Sequence, residues 1–209
     1  MEISIFLKLR QIGLFGFVRC IASKIHLYFL QKKYKFNKWH MTAPYSCRPY
    51  KQEVVNIVNS LNICASLEIG CGLGEISSRF QCDHKFACDQ EESVISAATF
   101  LFGESVNFFT ASMDDFLAIK DNIRDINIDI LILINWTHDF SFSWLEPRIL
   151  KLVKEHNIRF ILIDGIKTGI LGYLHTHSPE LLNHFGKIIL SKESIDSART
   201  FYLIECSSI

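Results

Sequence analysis

Ser66-Leu67-Glu68-Ile69-Gly70-Cys71-Gly72-Leu73-Gly74-Glu75 places three of the chain's ten glycines within five positions. The run entering it, Ala65 to Ile69, is apolar and strand-like, and a helical pattern follows near residues 74–81. A glycine-rich turn between a strand and a helix permits tight backbone geometry and brings a ligand close to the helix N-terminus. Two ligand classes compete for such a turn. A dinucleotide fingerprint reads G-x-G-x-x-G, but the sixth position counted from Gly70 is Glu75, and the third glycine stands at Gly74. Glu68 lies two residues before the first glycine, where a carboxylate repels pyrophosphate and attracts a cationic amino-acid ligand. Spacing and acid together weigh against an NAD-dependent oxidoreductase.

Outward from the loop, apolar runs alternate with helical patterns. Strands are expected at Ala65 to Ile69, Lys85 to Cys88, Val106 to Phe109, Ile128 to Ile134 and Phe160 to Ile163, with helices near 74–81, 92–102, 114–121 and 143–156. That alternation predicts a doubly wound α/β domain with a parallel sheet covered on both faces. A helix from about Tyr50 to Leu61 precedes it, its stripe of Val54, Val55, Ile57, Val58 and Leu61 facing the core. After residue 165 the pattern changes. Ser178-Pro179-Glu180 opens a helix that Gly186 is placed to end. Lys187 to Leu190 and Thr200 to Glu205 follow as two strands whose polar connection is too short for a crossover helix, which makes them an antiparallel pair.

The string from Glu68 to Gly74 resembles the first motif of the class I S-adenosylmethionine-dependent methyltransferases, E/D-x-G-x-G-x-G, at every fixed position, over about residues 50–209. The resemblance implies a Rossmann-like seven-stranded fold with a C-terminal antiparallel hairpin, and S-adenosylmethionine as cofactor. It implies that Glu68, Gly70, Cys71, Gly72 and Gly74 cradle the methionine part. Asp89, with Gln90 beside it, matches the acid that holds the ribose hydroxyls, and a carboxylate's two acceptor oxygens suit a vicinal diol. Met113 and Asp114 stand where the family contacts adenine, although Ser112-Met113-Asp114-Asp115 also reads as a helix cap.

The end of the fourth strand reads Leu133-Ile134-Asn135-Trp136-Thr137-His138-Asp139. Asn135 falls with the cofactor residues and Trp136 with the acceptor residues. Trp136 and Thr137 replace both prolines of the N-P-P-Y or D-P-P-Y pattern of the amino-directed nucleic-acid enzymes, which removes support for methylation of a base amino group. An acceptor hydroxyl needs a base to take its proton. His138 is the first candidate, with Asp139 to orient it, and the alternative is a loop histidine that only hydrogen-bonds. His40 is the rival, beside Trp39, and Arg48 or Tyr50 could bind a carboxylate or an anionic acceptor. The Lys-Trp-His and Arg-Pro-Tyr strings also resemble those of small bacterial methyltransferases associated with surface polysaccharides. That implies O-methylation of a small-molecule or glycan acceptor. A non-catalytic S-adenosylmethionine-binding regulatory module carries the same cofactor motif and stays open beside it.

Composition bounds the rest. The chain has 209 residues, 49% of them apolar, and 22 basic against 22 acidic side chains. Zero net charge argues against affinity through many phosphate contacts, so nucleic acid is not an expected partner. Neutrality conceals two halves: residues 1–38 carry eight basic side chains and one acid, +7, while residues 39–209 carry 14 and 21, −7. Residues 1–38 form a basic leader and residues 39–209 the methyltransferase domain. Lys8, Arg10, Arg19 and Lys24 interrupt the apolar leader, so a spanning helix is not expected. Lys8, Gln11, Arg19, Ser23 and His26 share one helical sector, leaving two readings: a helix packed on the domain, or an interfacial helix making peripheral contact with anionic lipid. Seven cysteines with no C-x-x-C pair predict neither a disulfide framework nor a zinc site and place the protein in the cytoplasm, where the interfacial reading of the leader would put it at the inner face of the membrane. Cys64 and Cys88 are expected buried in strands. His175 and His177 are expected as loop residues, with no metal bound.

Overall fold

A computed structural model describes residues 5–41, 44–124, 126–167, 169–170 and 172–206, with side chains from residue 13 onward. Seven strands form one sheet in the order β3-β2-β1-β4-β5-β7-β6. They are β1 (Ala65–Ile69), β2 (His84–Asp89), β3 (Asn107–Thr110), β4 (Ile130–Leu133), β5 (Phe160–Ile166), β6 (Gly186–Glu193) and β7 (Arg199–Cys206). β1 to β5 pair in parallel, and β7 runs antiparallel between β5 and β6. β1, β4 and β5 are buried at every position, as a sheet covered on both faces demands, whereas β6 alternates as an edge strand does. The chain leaves β1 for β2 and β3, then returns to β4 on the other side of β1. This reversal opens a crevice at the carboxyl ends of β1 and β4, where such sheets bind ligands.

The helices are α1 (Ile5–Tyr34), α2 (Pro49–Asn59), α3 (Glu92–Phe102), α4 (Phe116–Ile123), α5 (Phe142–His156) and the short α6 (Pro179–Leu182). One sheet face packs Leu67, Leu131, Leu133 and Ile161 against Ile119, Leu145, Ile149 and Leu152 of α4 and α5. The other packs Ile130, Ile132, Leu162 and Phe201 against the expected stripe of α2, Val54, Val55, Ile57 and Val58. Leu27 and Leu30 of α1 close a third cluster with Leu73, Val94 and Ala97. Burial of such a side chain contributes about 1.5–3 kcal/mol, so α1 is docked on α3.

Several expectations fail for identifiable reasons. No α-helix follows the glycine loop: residues 77–79 form one 3-10 turn, because Gly74 keeps a positive φ of 69° and the Glu68 carboxylate takes the Ser77 amide. Gly186 does not cap α6, which stops at Leu182; it opens β6, where a Cβ would strike the Glu205 carbonyl. Cys64 is exposed ahead of β1, its amide donating to Asp129 at 2.7 Å. Cys88 is buried as expected. Against the expectation of unpaired thiols, Cys20 and Cys47 form a disulfide with Cα atoms 5.2 Å apart. The docking of α1 brings them together across 27 residues of sequence, a loop whose closure stabilises by about 3 kcal/mol. The oxidised pair removes the cysteine argument for the cytoplasm. His177 lies in the loop before α6 as expected but is not at the surface: it is 3% exposed, and its Nε2 lies 3.0 Å from the Thr137 carbonyl oxygen. The side chains of Lys8 and Gln11, on which the leader's polar sector partly rested, lie outside the described residues.

Candidate functional site

The glycine loop is fixed by its own amides. Gly70 and Cys71 both donate to the Cys88 carbonyl, at 2.8 and 3.0 Å, which staples the loop to the end of β2. Gly72 donates to Asp89 Oδ2 at 3.0 Å and Glu91 to Asp89 Oδ1 at 3.1 Å. Each carboxylate oxygen keeps a free lone pair. Gly70, Gly72 and Gly74 have φ of 73°, 55° and 69°. A Cβ at Gly70 would stand 2.5 Å from the Trp136 indole, and one at Gly74 would enter the Phe108 ring. The glycines are therefore required both for backbone conformation and for space.

Glu68, 3% exposed, accepts from the Ser77 amide at 3.1 Å and from its hydroxyl. Burial pushes its carboxyl up to about 7, against the opposing pull of Ser77 and Lys51. Cys71 turns its side chain away from the loop mouth, against Ala87, Ile95 and Val106, where burial raises its thiol well above the usual range. It offers the loop its amide, not its sulfur.

A cavity of about 820 Å³ opens over the carboxyl ends of the strands, within the roughly 300–1,000 Å³ of small-molecule sites. One end is lined by Ile69, Gly70, Asp89 and Gln90, and the middle by Ala111, Ser112, Met113 and Asp114. Asn135, Trp136, His138, Asp139, Phe140, Trp144, Tyr173 and Trp39 line the rest. A cleft of about 70 Å³ lies beyond Trp136, walled by Tyr50, Lys51, Glu68 and Gly70 to Leu73. Trp136 lines both, its indole N–H donating to the Ile69 carbonyl at 2.7 Å.

The opposite wall is built from distant side chains. Asn135 sits at φ 70°; its amide donates to Asp164 Oδ1 at 2.9 Å and its side-chain oxygen accepts from Arg199 at 3.0 Å. Arg199 also bonds Asp164 Oδ2 at 2.7 Å, both side chains being almost wholly out of solvent. The guanidinium lies 4.1 Å from the Tyr50 ring centroid. Tyr50 is thereby held in the core, its phenol pushed up to about 12 by burial. Neither Asp164 nor Arg199 was anticipated from sequence, although an acid inside the apolar run Phe160 to Ile163-Asp164 is a signal, since a buried charge needs a partner. Tyr173, whose ring meets His138 edge-on at 4.4 Å, gave none.

The two histidines part company here. His138 faces the cavity, 8% exposed; its Nδ1 is buried without a hydrogen-bond partner among the described residues, and burial holds the imidazole below its usual 6.5 against the pull of Asp139 and Asp164. Asp139 Oδ1 stands 3.6 Å from His138 Nε2, too far for a hydrogen bond. His40 is equally buried but lies outside the large cavity, stacked on Trp39 at 3.6 Å and set against Gly72, with Nε2 3.4 Å from Glu91. Burial lowers its pKa too. Trp39 is 54% exposed at the cavity rim. Arg48 caps α2 and lines neither space. Met113 is 3% exposed and joins the core. Asp114 pairs with Arg148 at 2.6 Å, while Asp115 stands at the N-cap position of α4 but turns its carboxylate back to the Ser112 amide at 2.7 Å and hydroxyl at 2.8 Å, so it caps no helical amide. Among the described residues no three His, Cys, Asp or Glu side chains converge as metal ligands.

No protein-family model and no curated protein sequence matches the chain. Solved structures do. The magnesium protoporphyrin IX methyltransferase of Synechocystis, solved with S-adenosylhomocysteine, aligns over 91% of this chain and 99% of its own with TM-score 0.62 at 11% identity. The N-methyltransferase NodS of Bradyrhizobium japonicum, in complex with the same ligand, aligns over 87% and 98% with TM-score 0.63 at 12% identity. A TehB-like S-adenosylmethionine-dependent methyltransferase of Corynebacterium glutamicum aligns over 88% and 99% with TM-score 0.57 at 13% identity. The fold is that of the class I S-adenosylmethionine-dependent methyltransferases.

Proposed function

We propose that the chain transfers a methyl group from S-adenosylmethionine to an oxygen of a small-molecule or glycan acceptor. The observation that carries this reading is one cavity that joins the Asp89 carboxylate, the Ala111 to Asp114 turn and the His138 imidazole. The cofactor, when bound, supplies an electrophilic methyl on a cationic sulfur. Asp89, oriented by the Gly72 and Glu91 amides, accepts from the two ribose hydroxyls. Met113 and Ala111 give the base an apolar surface, and Asp114, steadied by Arg148, accepts from the exocyclic amine. Glu68 and the Gly70 to Leu73 backbone line the cleft suited to the amino-acid end, and Glu68 ionises there beside an ammonium group.

His138, its imidazole held below the usual pKa by burial, takes the acceptor's hydroxyl proton on Nε2, since Nδ1 is sealed inside the fold. Trp136, Phe140, Trp144 and Tyr173 exclude water and present aromatic faces to the acceptor. Purified protein is expected to gain thermal stability from S-adenosylhomocysteine, as a ligand of the native state requires, and to label sugar nucleotides or lipid-linked glycans. His138→Ala retains the thermal gain and loses transfer by about 10²- to 10⁴-fold. No thermal gain with either sulfur nucleoside overturns the cofactor. Unchanged transfer in His138→Ala removes the base, and absence of transfer to any acceptor with retained binding returns the regulatory module.

A further inference from the structure

α1 is apolar on two opposite sides. At 3.6 residues per turn, Cys20, Ser23, Leu27 and Leu30 form one stripe. This stripe is bound to the domain: Cys20 by its disulfide, Ser23 by a 2.8 Å hydroxyl contact with Ser46, and the two leucines by burial against α3 and the glycine loop. Diametrically across the helix lie Leu14, Val18, Ile21, Ile25, Tyr28 and Phe29, between 46% and 73% exposed. A helix with one docked apolar face and polar residues elsewhere is the ordinary case; a second apolar face of this length marks an interaction surface.

Charge selects its occupant. Lys32 stands on this face and Lys24 and Lys33 flank it, all exposed, while Arg19 lies nearer the docked stripe, and no acidic residue occurs between residues 3 and 52. Arg19 lies over Phe15 at 5.4 Å, Lys32 over Tyr28 at 5.5 Å and Lys33 over Phe100 at 4.1 Å, so cationic heads project from apolar supports. A second copy would bring these cations against their own kind. Residues Gly13–Tyr34 are long and apolar enough to cross a membrane, but the Cys20, Leu27 and Leu30 side is committed to the domain, which keeps the helix lying flat on it.

We propose that the outer face of α1 binds in the plane of an anionic phospholipid surface, Leu14, Val18, Ile21, Ile25 and Phe29 entering the acyl boundary while Lys24, Lys32 and Lys33 meet headgroup phosphates. The chain runs from the last turn of α1 directly to Trp39 at the cavity rim, so a bound surface sets the site beside lipid. The inference stands independently of the methyl-transfer reading. Full-length protein is sedimented with vesicles of phosphatidylcholine alone or with added phosphatidylglycerol, at low and high salt. Binding is expected only with phosphatidylglycerol, falling about tenfold or more at high salt. The double variant Ile21→Asp/Ile25→Asp, which touches outward side chains alone, is expected to lose vesicle binding with an unchanged unfolding midpoint and an unchanged response to S-adenosylhomocysteine. Equal binding by parent and double variant, no binding to either vesicle, or a dimer that the double variant abolishes would each overturn the proposal.

Discussion

The two walls of the cavity are made differently. The wall formed by β1, β2 and the glycine loop is a backbone construction: four amides, at Gly70, Cys71, Gly72 and Glu91, hold the loop and Asp89 in place, all within 22 residues of sequence. The wall formed by the ends of β4, β5 and β7 is a side-chain construction, Asn135, Asp164 and Arg199 being joined across 64 residues. A backbone wall tolerates change in the side chains it does not use, whereas a buried ion pair fails when either member is lost. Under the proposed function the first wall holds the cofactor and the second faces the acceptor.

The largest effect tests this contrast most directly. Arg199→Ala leaves the Asp164 carboxylate buried without its cation and is expected to cost about 3–5 kcal/mol of stability, read as a fall in the urea or thermal unfolding midpoint. Asp89→Asn replaces one acceptor oxygen with a donor facing an amide; binding of S-adenosylhomocysteine is expected to weaken by about 1.5–3 kcal/mol, roughly 10- to 100-fold by calorimetry, with a smaller change in stability. If Asp89→Asn unfolded the protein as readily as Arg199→Ala, the two walls would not be separable in this way.

A third effect concerns pH. Free Glu68 ionises near 4.5, but in the folded chain only near 7. The native state therefore holds the extra proton between those values, and stability falls as pH rises through that window. Glu68→Gln is expected to flatten this part of the stability profile. It also removes the rise in cofactor affinity between about pH 6 and 8 that ionisation beside a cationic group produces; an unaltered profile would place the titration elsewhere.

The histidines show where sequence reading stops. His40 and His138 are alike in the sequence, each next to a residue that could serve it, and both are buried in the fold. Only His138 faces the large cavity, because the turn after β4 carries it there and Tyr173 and His177 close behind it. His40 is folded under Trp39 against Gly72. Similarly, Asp114 and Asp115 are neighbours with interchangeable chemistry, yet one meets Arg148 and the other turns back to Ser112.

By itself the sequence determined the alternation of strands and helices, the antiparallel terminal pair and the glycine loop with Asp89. Each follows from local causes: the period of apolar residues, and the need for glycine where φ is positive and a side chain would collide. Tertiary structure alone decided the Cys20–Cys47 bond, the Asp164–Arg199 pair beneath the wall at the ends of β4, β5 and β7, and the division of α1 into a face bound to the domain and a face left outside it. Those depend on which distant surfaces meet, and a helix apolar on both sides presents no single polar direction from which its packing can be read.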